Sequence, residues 1–81
     1  MLRIRMLDNG DVFEGETWEE LIDAMRLSMR LGPDPDISTY MEGIQRRVKI
    51  WNGANIRTNN YKVFVEDLVS AGLVELLVGD K

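Results

Sequence analysis

Side chains that could carry out covalent chemistry are few in this sequence. The candidate hydroxyl nucleophiles are Ser28, Ser38, Thr39, Thr58 and Ser70. None of them lies in a recognisable nucleophile turn, and the chain has neither His nor Cys. The usual general base, the thiolate nucleophile and a zinc site built from Cys and His are therefore all excluded.

Carboxylate pairs are the remaining candidates for acid–base or metal chemistry. Glu19 and Glu20 are adjacent in a predicted helix, where neighbours point about 100° apart, so a solvated first turn explains them better than a catalytic pair. Asp34-Pro35-Asp36 lacks the spaced acidic positions of a calcium loop and is interpreted as a stiff connector. The scattered glycines form no phosphate-binding motif. The sequence therefore predicts a protein that is not an enzyme and that uses no metal and no cofactor.

Charges are segregated along the chain. The 81 residues carry fourteen acidic and ten basic side chains, for a net charge of −4. Residues 1–36 have a net charge of −5, residues 37–62 of +4 and residues 63–81 of −3. A basic block inside an acidic protein is a candidate surface for a charged partner.

The basic block spans a predicted helix, a turn and the start of another helix. Arg, Lys and Asn at such a junction are the side chains that contact phosphates and base edges. The pattern over residues 38–78 resembles the end of a winged helix-turn-helix domain, although its turn is longer and only one strand follows. The residues that would contact nucleic acid are Arg46, Arg47, Lys49, Arg57, Asn59, Asn60 and Lys62.

The alternative interpretation of the basic block is an ordinary solvated helix face. Asn residues beside helices are most often caps, and Arg57 and Lys62 could pair with the acidic first helix. The overall negative charge also weakens long-range attraction to a polyanion.

Acidic side chains cluster from the end of the hairpin into the first predicted helix, and two leucines of that helix lie off its main apolar stripe. Such a face can dock on a basic protein surface, and exposed leucines beside it would mark a partner site. The candidate protein-binding residues are Glu16, Glu19, Glu20, Asp23, Leu27 and Leu31. The alternative is a sandwiched helix that buries a broad arc.

The elements that must position these side chains begin with a β-hairpin. Alternating apolar and basic residues, followed by an Asn-Gly dipeptide, predict the hairpin over residues 1–16. A two-residue turn would place Met6 opposite Phe13 and Arg5 opposite Glu14.

Three helices follow the hairpin. The first is predicted over residues 17–31, opening with a capping box and ending before Gly-Pro. The second is predicted over residues 38–51 with Asp36 or Ser38 as its cap, and the third runs to about residue 71 with Thr58 or Asn59 as its cap. Helical spacing in the second predicts one apolar seam, formed by Ile37, Met41, Ile44, Val48 and Trp51.

The length and β-branched content of residues 73–78 predict a last strand. The hairpin is its only possible partner within the chain. The order is ββαααβ. The predicted fold is an α+β domain over residues 1–81, in which the N-terminal hairpin and the C-terminal strand form a small sheet packed on three helices.

The absence of catalytic side chains and the segregation of charge favour macromolecular binding as the function. The leading hypothesis is a small acidic cytoplasmic protein that binds another protein as an inhibitor, adaptor or accessory subunit, of the kind that phages and other mobile elements encode. The alternative is a helix-turn-helix-type regulator that binds nucleic acid through residues 37–62. No membrane partner is expected, because no signal peptide or spanning segment is present. A homodimer through the last strand or the Leu27/Leu31 strip is a further option.

Overall fold

The computed structural model describes residues 1–28 and 34–79. Its elements are, in chain order, β1 (Leu2–Met6), β2 (Val12–Gly15), α1 (Trp18–Leu27), α2 (Ile37–Asn52), α3 (Tyr61–Ser70) and β3 (Val74–Val78). The predicted ββαααβ order and the α+β class are confirmed. No helix in these described ranges has the length and apolar character that crossing a membrane requires.

β1 is the central strand of an antiparallel sheet with the order β2-β1-β3. Ile4 lies opposite Phe13 of β2 on one side and opposite Leu76 of β3 on the other. The hairpin is therefore the partner of the last strand, as predicted. The β1–β3 register shifts between Arg3 and Ile4, which puts one extra residue into β3 as a bulge.

The register of the hairpin differs from the prediction. Phe13 lies opposite Ile4 rather than Met6, because the turn spans residues 7–10 and not the Asn-Gly dipeptide alone. The Gly10 N–H donates to the Met6 carbonyl at 2.9 Å, with Gly10 at a φ of +80°. A shift of two residues leaves every side chain on its predicted face, so alternation alone does not distinguish the two registers.

The shift changes the ion pairs on the outer face of the sheet. Arg3, not Arg5, pairs with Glu14 across the hairpin. Arg5 instead pairs with Glu75 of β3. Each neighbour of the central strand is thus joined to it by one arginine–glutamate pair.

α1 begins with the predicted capping box. The Thr17 hydroxyl oxygen accepts from the Glu20 N–H at 3.1 Å, and the Glu20 carboxylate accepts from the Glu16 N–H at 3.0 Å. The helix ends at Leu27, earlier than predicted. The hydroxyl and the N–H of Ser28, the next residue, both donate to the Met25 carbonyl oxygen, and these hydrogen bonds close the last turn. Residues 29–33, including the predicted Gly-Pro stop, lie outside the described ranges.

α2 and α3 are fixed by side-chain caps. The Asp36 carboxylate accepts from the Thr39 N–H at 2.7 Å, a hydrogen bond that holds the pKa of Asp36 below its ordinary value. Gly53 ends α2 in the left-handed conformation at a φ of +77°. The cap of α3 is Asn60, whose side chain accepts from the Val63 N–H. The prediction of Thr58 or Asn59 as that cap was wrong.

The core lies between the sheet and the helices. No polar or charged residue is buried in it among the residues described. Gly15 of β2 lies directly against the start of α1, where an added Cβ would be 2.5 Å from the backbone nitrogen of Leu21. The core side chains are Leu2, Ile4, Leu21, Ile22, Met25, Tyr40, Met41, Val48, Ile56, Phe64, Val65, Leu68 and Val74.

Candidate protein-binding groove

The apolar seam of α2 divides into a buried part and an exposed part. Met41 and Val48 are buried in the core, as the helical spacing predicts. Trp51, the last member of the seam, is 70% exposed, and the neighbouring Ile50 is 87% exposed. The prediction that Trp51 packs in the seam was therefore wrong, because the last turn of α2 extends beyond the buried core.

An open groove of about 410 Å³ lies beside Trp51. It separates the second half of α2 from the hairpin turn and from the connection between α3 and β3. We call it the α2 groove. Its apolar lining consists of Met6, Leu7, Met25, Ile44, Val48, Trp51, Leu68, Leu73 and Val74.

Three polar side chains join this apolar lining, namely Asp8, Tyr40 and Arg47. Burial raises the pKa of the Tyr40 hydroxyl, so it stays a neutral hydrogen-bond group at physiological pH. Arg47 and Asp8 supply one positive and one negative charge. An apolar groove with a few polar groups is the usual form of a docking site.

The residues proposed for nucleic-acid binding do not all line the same depression. Arg47 lines the α2 groove, whereas Arg46 and Lys49 line a neighbouring depression with Ile50. Lys62 lines a third depression, beside Trp18 and β3. The basic block of the sequence is thus divided among separate sites.

Several of these residues also have structural partners. The Arg57 guanidinium donates to the two carboxylate oxygens of Asp67 at 3.0 and 2.9 Å, and the Arg57 N–H donates to the same carboxylate at 2.8 Å. The Lys49 ammonium donates to the Asn55 side chain at 2.7 Å, and Asn60 is the α3 cap. Arg57 therefore pairs within the α3 region, and the alternative of a pair with α1 was wrong for this residue. Arg46, Arg47 and Asn59 are exposed.

Replacing Asp67 with asparagine is expected to remove part of the acid sensitivity of the fold. Hydrogen bonds from the side chain and backbone of Arg57 hold the pKa of Asp67 below its ordinary value. A lowered pKa in the folded state contributes stability above the unfolded pKa, about 3.9, and this stability is lost as pH falls through the folded pKa. The free energy of unfolding, measured by urea titration from pH 7 to pH 2, should therefore differ between wild type and D67N above pH 5 and converge below pH 4.

Arg57→Gln is the matched variant for this measurement, because it removes the same pair from the other side. It should converge with wild type over the same pH range. A difference between wild type and D67N that stays constant down to pH 2 would show that the Asp67 carboxylate is not stabilised by the pair.

The acidic face proposed from the sequence is partly occupied by intramolecular contacts. Glu20 serves the capping box, and the Asp23 carboxylate accepts from Arg26 at 2.7 Å. Glu16 lies 3.9 Å from the N-terminal amine. Glu19 in the first turn of α1 is exposed, and Leu27 at the end of the helix is 58% exposed, so neither end of α1 is sandwiched. Leu31 lies outside the described residues.

Similarity to known proteins gives no indication of what the α2 groove binds. Comparison of the chain with family models, with curated proteins and with solved structures found no match. Within residues 1–28 and 34–79, no three acidic side chains come together in a way that could hold a metal ion. The α2 groove and the charges around it are therefore the features from which a function can be argued.

Proposed function

We propose that this protein is a protein-binding module and that its docking site is the α2 groove. The observation that carries the proposal is Trp51, a large apolar side chain that stands mostly in solvent at the edge of an apolar groove. Covering such a surface removes apolar area from water, which stabilises a complex by about 25 cal/mol per Å². Tryptophan is also the residue type most enriched among side chains that dominate protein–protein affinity.

The charges beside the groove indicate the chemistry of the partner. Arg47 belongs to the lining, and Arg46 and Lys49 lie on the adjacent surface of the same helix. A partner that inserts an apolar side chain into the groove would meet positive charge at its edge. We expect a protein segment that carries an apolar anchor flanked by Asp or Glu.

Nucleic-acid binding is supported less well by the same surface. An exposed tryptophan can stack on a base, and nearby arginines can contact phosphates. The candidate cations, however, are divided among three depressions, and Arg57 is held by Asp67. The net charge of −4 opposes a polyanion as well.

A protein-binding module acts by covering a functional surface of its partner or by bringing two partners together. We therefore propose the role of an inhibitor, adaptor or accessory subunit. The lack of Cys suits a reducing compartment, and we place the protein in the cytoplasm. The acidic start of α1 and the exposed Leu27 at its end are further candidate surfaces, to be compared with the groove in the same experiment.

Replacing Trp51 with alanine is expected to weaken partner binding by about 30-fold, which corresponds to about 2 kcal/mol for a hot-spot tryptophan. The tagged protein would capture partners from a nuclease-treated lysate, and affinity for the captured protein would then be measured by calorimetry. The fold should not change, because the side chain contributes little to the core. Leu27→Ala, which truncates another exposed apolar side chain, is the matched control and should bind like wild type.

Other outcomes of the capture experiment would contradict the proposal in different ways. Capture that disappears with nuclease and with rising salt would support nucleic-acid binding instead. Binding that resists W51A but is lost in Glu16→Lys would move the docking site to the acidic start of α1, and binding that is lost in Leu27→Asp would move it to the end of that helix.

A further inference from the structure

β3 is an edge strand with an apolar surface. It pairs with β1 on one side, and no other strand of the described chain adjoins its second side. Its last three residues, Leu76, Leu77 and Val78, are each 41–42% exposed. The strand contains no Pro and no Lys, two residue types that commonly protect an edge from further pairing, and its bulge lies after Leu76, so residues 74–76 form the regular part of the edge.

The ladder identifies which backbone groups of β3 face outwards. The Leu7 N–H donates to the Leu73 carbonyl at 3.1 Å, so the backbone groups of residue 73 face β1. Because the hydrogen-bonding direction alternates along an antiparallel pair, Glu75 also faces β1 and Leu76 faces the open side. The Met6 N–H, one residue earlier in β1, donates to Asp11 on the β2 side at 2.7 Å, in agreement with this alternation.

The open edge of β3 carries no unpaired charge within the strand. Glu75 is the only charged residue within β3, and it is paired with Arg5 of the central strand. The other open edge of the sheet, on β2, differs. There Glu14 is paired with Arg3, but Asp11 and Glu16 flank the strand, so two copies that met along β2 would bring these two carboxylates together.

We propose that β3 pairs with β3 of a second copy of this chain, antiparallel and around a two-fold axis. The sheets of the two copies then join into one six-stranded sheet. A strand that is neutral and apolar is compatible with itself, which is what a two-fold interface requires. The acidic β2 edge does not meet this requirement, so the charges select one of the two edges.

Leu76 lies at the axis of this pair. Its outward N–H and C=O groups would exchange two hydrogen bonds with those of Leu76 in the second copy. In this register Glu75 is opposite Leu77 of the other copy, so no like charges face each other. The side chain of Leu76 lines a depression of about 390 Å³ between β3 and α3, together with Val65 and Val69. The two-fold axis is perpendicular to the sheet, so both depressions lie on the same face of the joined sheet, one on each side of the axis.

Sedimentation equilibrium of the whole chain, from micromolar to millimolar concentration, tests the proposal. Wild type should sediment as a reversible dimer. Leu76→Lys should shift the equilibrium toward monomer by at least about tenfold, because it removes two leucines from the interface and opposes two ammonium groups. Leu76→Pro should do the same by removing the outward N–H donor without removing a β1–β3 hydrogen bond.

Val12→Lys is the matched control, since it places the same charge on the β2 edge and should leave the dimer intact. Circular dichroism of each variant identifies any that fails to fold. Hydrogen exchange gives a second readout, in which the Leu76 amide of wild type should exchange more slowly as concentration rises.

Three results would overturn the proposal. The first is a wild-type chain that stays monomeric at millimolar concentration. The second is a dimer that Val12→Lys dissociates and Leu76→Lys does not. The third is a dimer that Trp51→Ala dissociates, which would place the second copy in the α2 groove. Partner capture by Leu76→Lys should remain at the wild-type level, so this test is separate from that of the groove.

Discussion

Replacing Phe64 with alanine is expected to lower the free energy of unfolding by about 3–5 kcal/mol. Phe64 is fully buried and is the largest of the fully buried side chains in the described core. Its removal costs the transfer free energy of the ring and leaves a cavity that the neighbouring strands and helices cannot fill. An 81-residue domain has a total stability of about 4–12 kcal/mol, so the variant would be close to unfolding at room temperature.

Urea titration followed by circular dichroism measures this loss. Val69→Ala is the matched control, because it truncates another apolar side chain of α3 at a position that is partly in solvent. Its effect should stay within about 0.5 kcal/mol, as for most surface positions. Equal losses in the two variants would mean that α3 does not bury Phe64 as described.

Two glycine-to-alanine substitutions are expected to have opposite effects. At Gly15 the new methyl group would lie 2.5 Å from the backbone nitrogen of Leu21 and 2.9 Å from the backbone carbon of Glu20. Backbone atoms cannot turn away as a flexible side chain can, so α1 must move off β2. We expect a loss of about 1–3 kcal/mol in the free energy of unfolding.

At Gly43, in the middle of α2, the nearest atom to a new methyl group is the end of the Arg47 side chain at 3.7 Å. Alanine should therefore fit and should raise the stability by up to about 1 kcal/mol through its higher helix propensity. Thermal unfolding of both variants gives the comparison directly. A melting temperature that falls in G43A or is unchanged in G15A would contradict the packing of α1 and α2 described above.

The order of the elements could be predicted because each leaves a local signal in the sequence. Capping residues opened α1 and α2, and Gly53 closed α2 at the expected position. The hairpin register could not be predicted, since both registers keep Ile4 and Phe13 on the apolar face and only the turn geometry separates them. The end of α1 was missed as well, because the strongest local stop signal, Gly32-Pro33, comes after the point where the Ser28 hydroxyl closes the last turn.

The α2 groove, which we propose as the docking site, was harder to predict than the fold. Periodicity assigns Trp51 to the same side of α2 as Val48, but it does not report how far the core extends along the helix. Trp51 was therefore grouped with the buried residues of the seam, although it lies at the exposed end of that seam. The basic block was visible in the sequence, whereas its division among three depressions depends on how α2, α3 and β3 pack.

The central position of β1 has a consequence for the synthesis of the protein. β1 and β2 are adjacent in sequence, but β3 is about seventy residues away from β1, as the Arg5–Glu75 pair shows. On the ribosome, the hairpin and α1 emerge early and can fold from local contacts, whereas one side of β1 must wait until β3 has left the exit tunnel. During that interval one edge of the future central strand has no partner, and it is then that misfolding competes most strongly with folding.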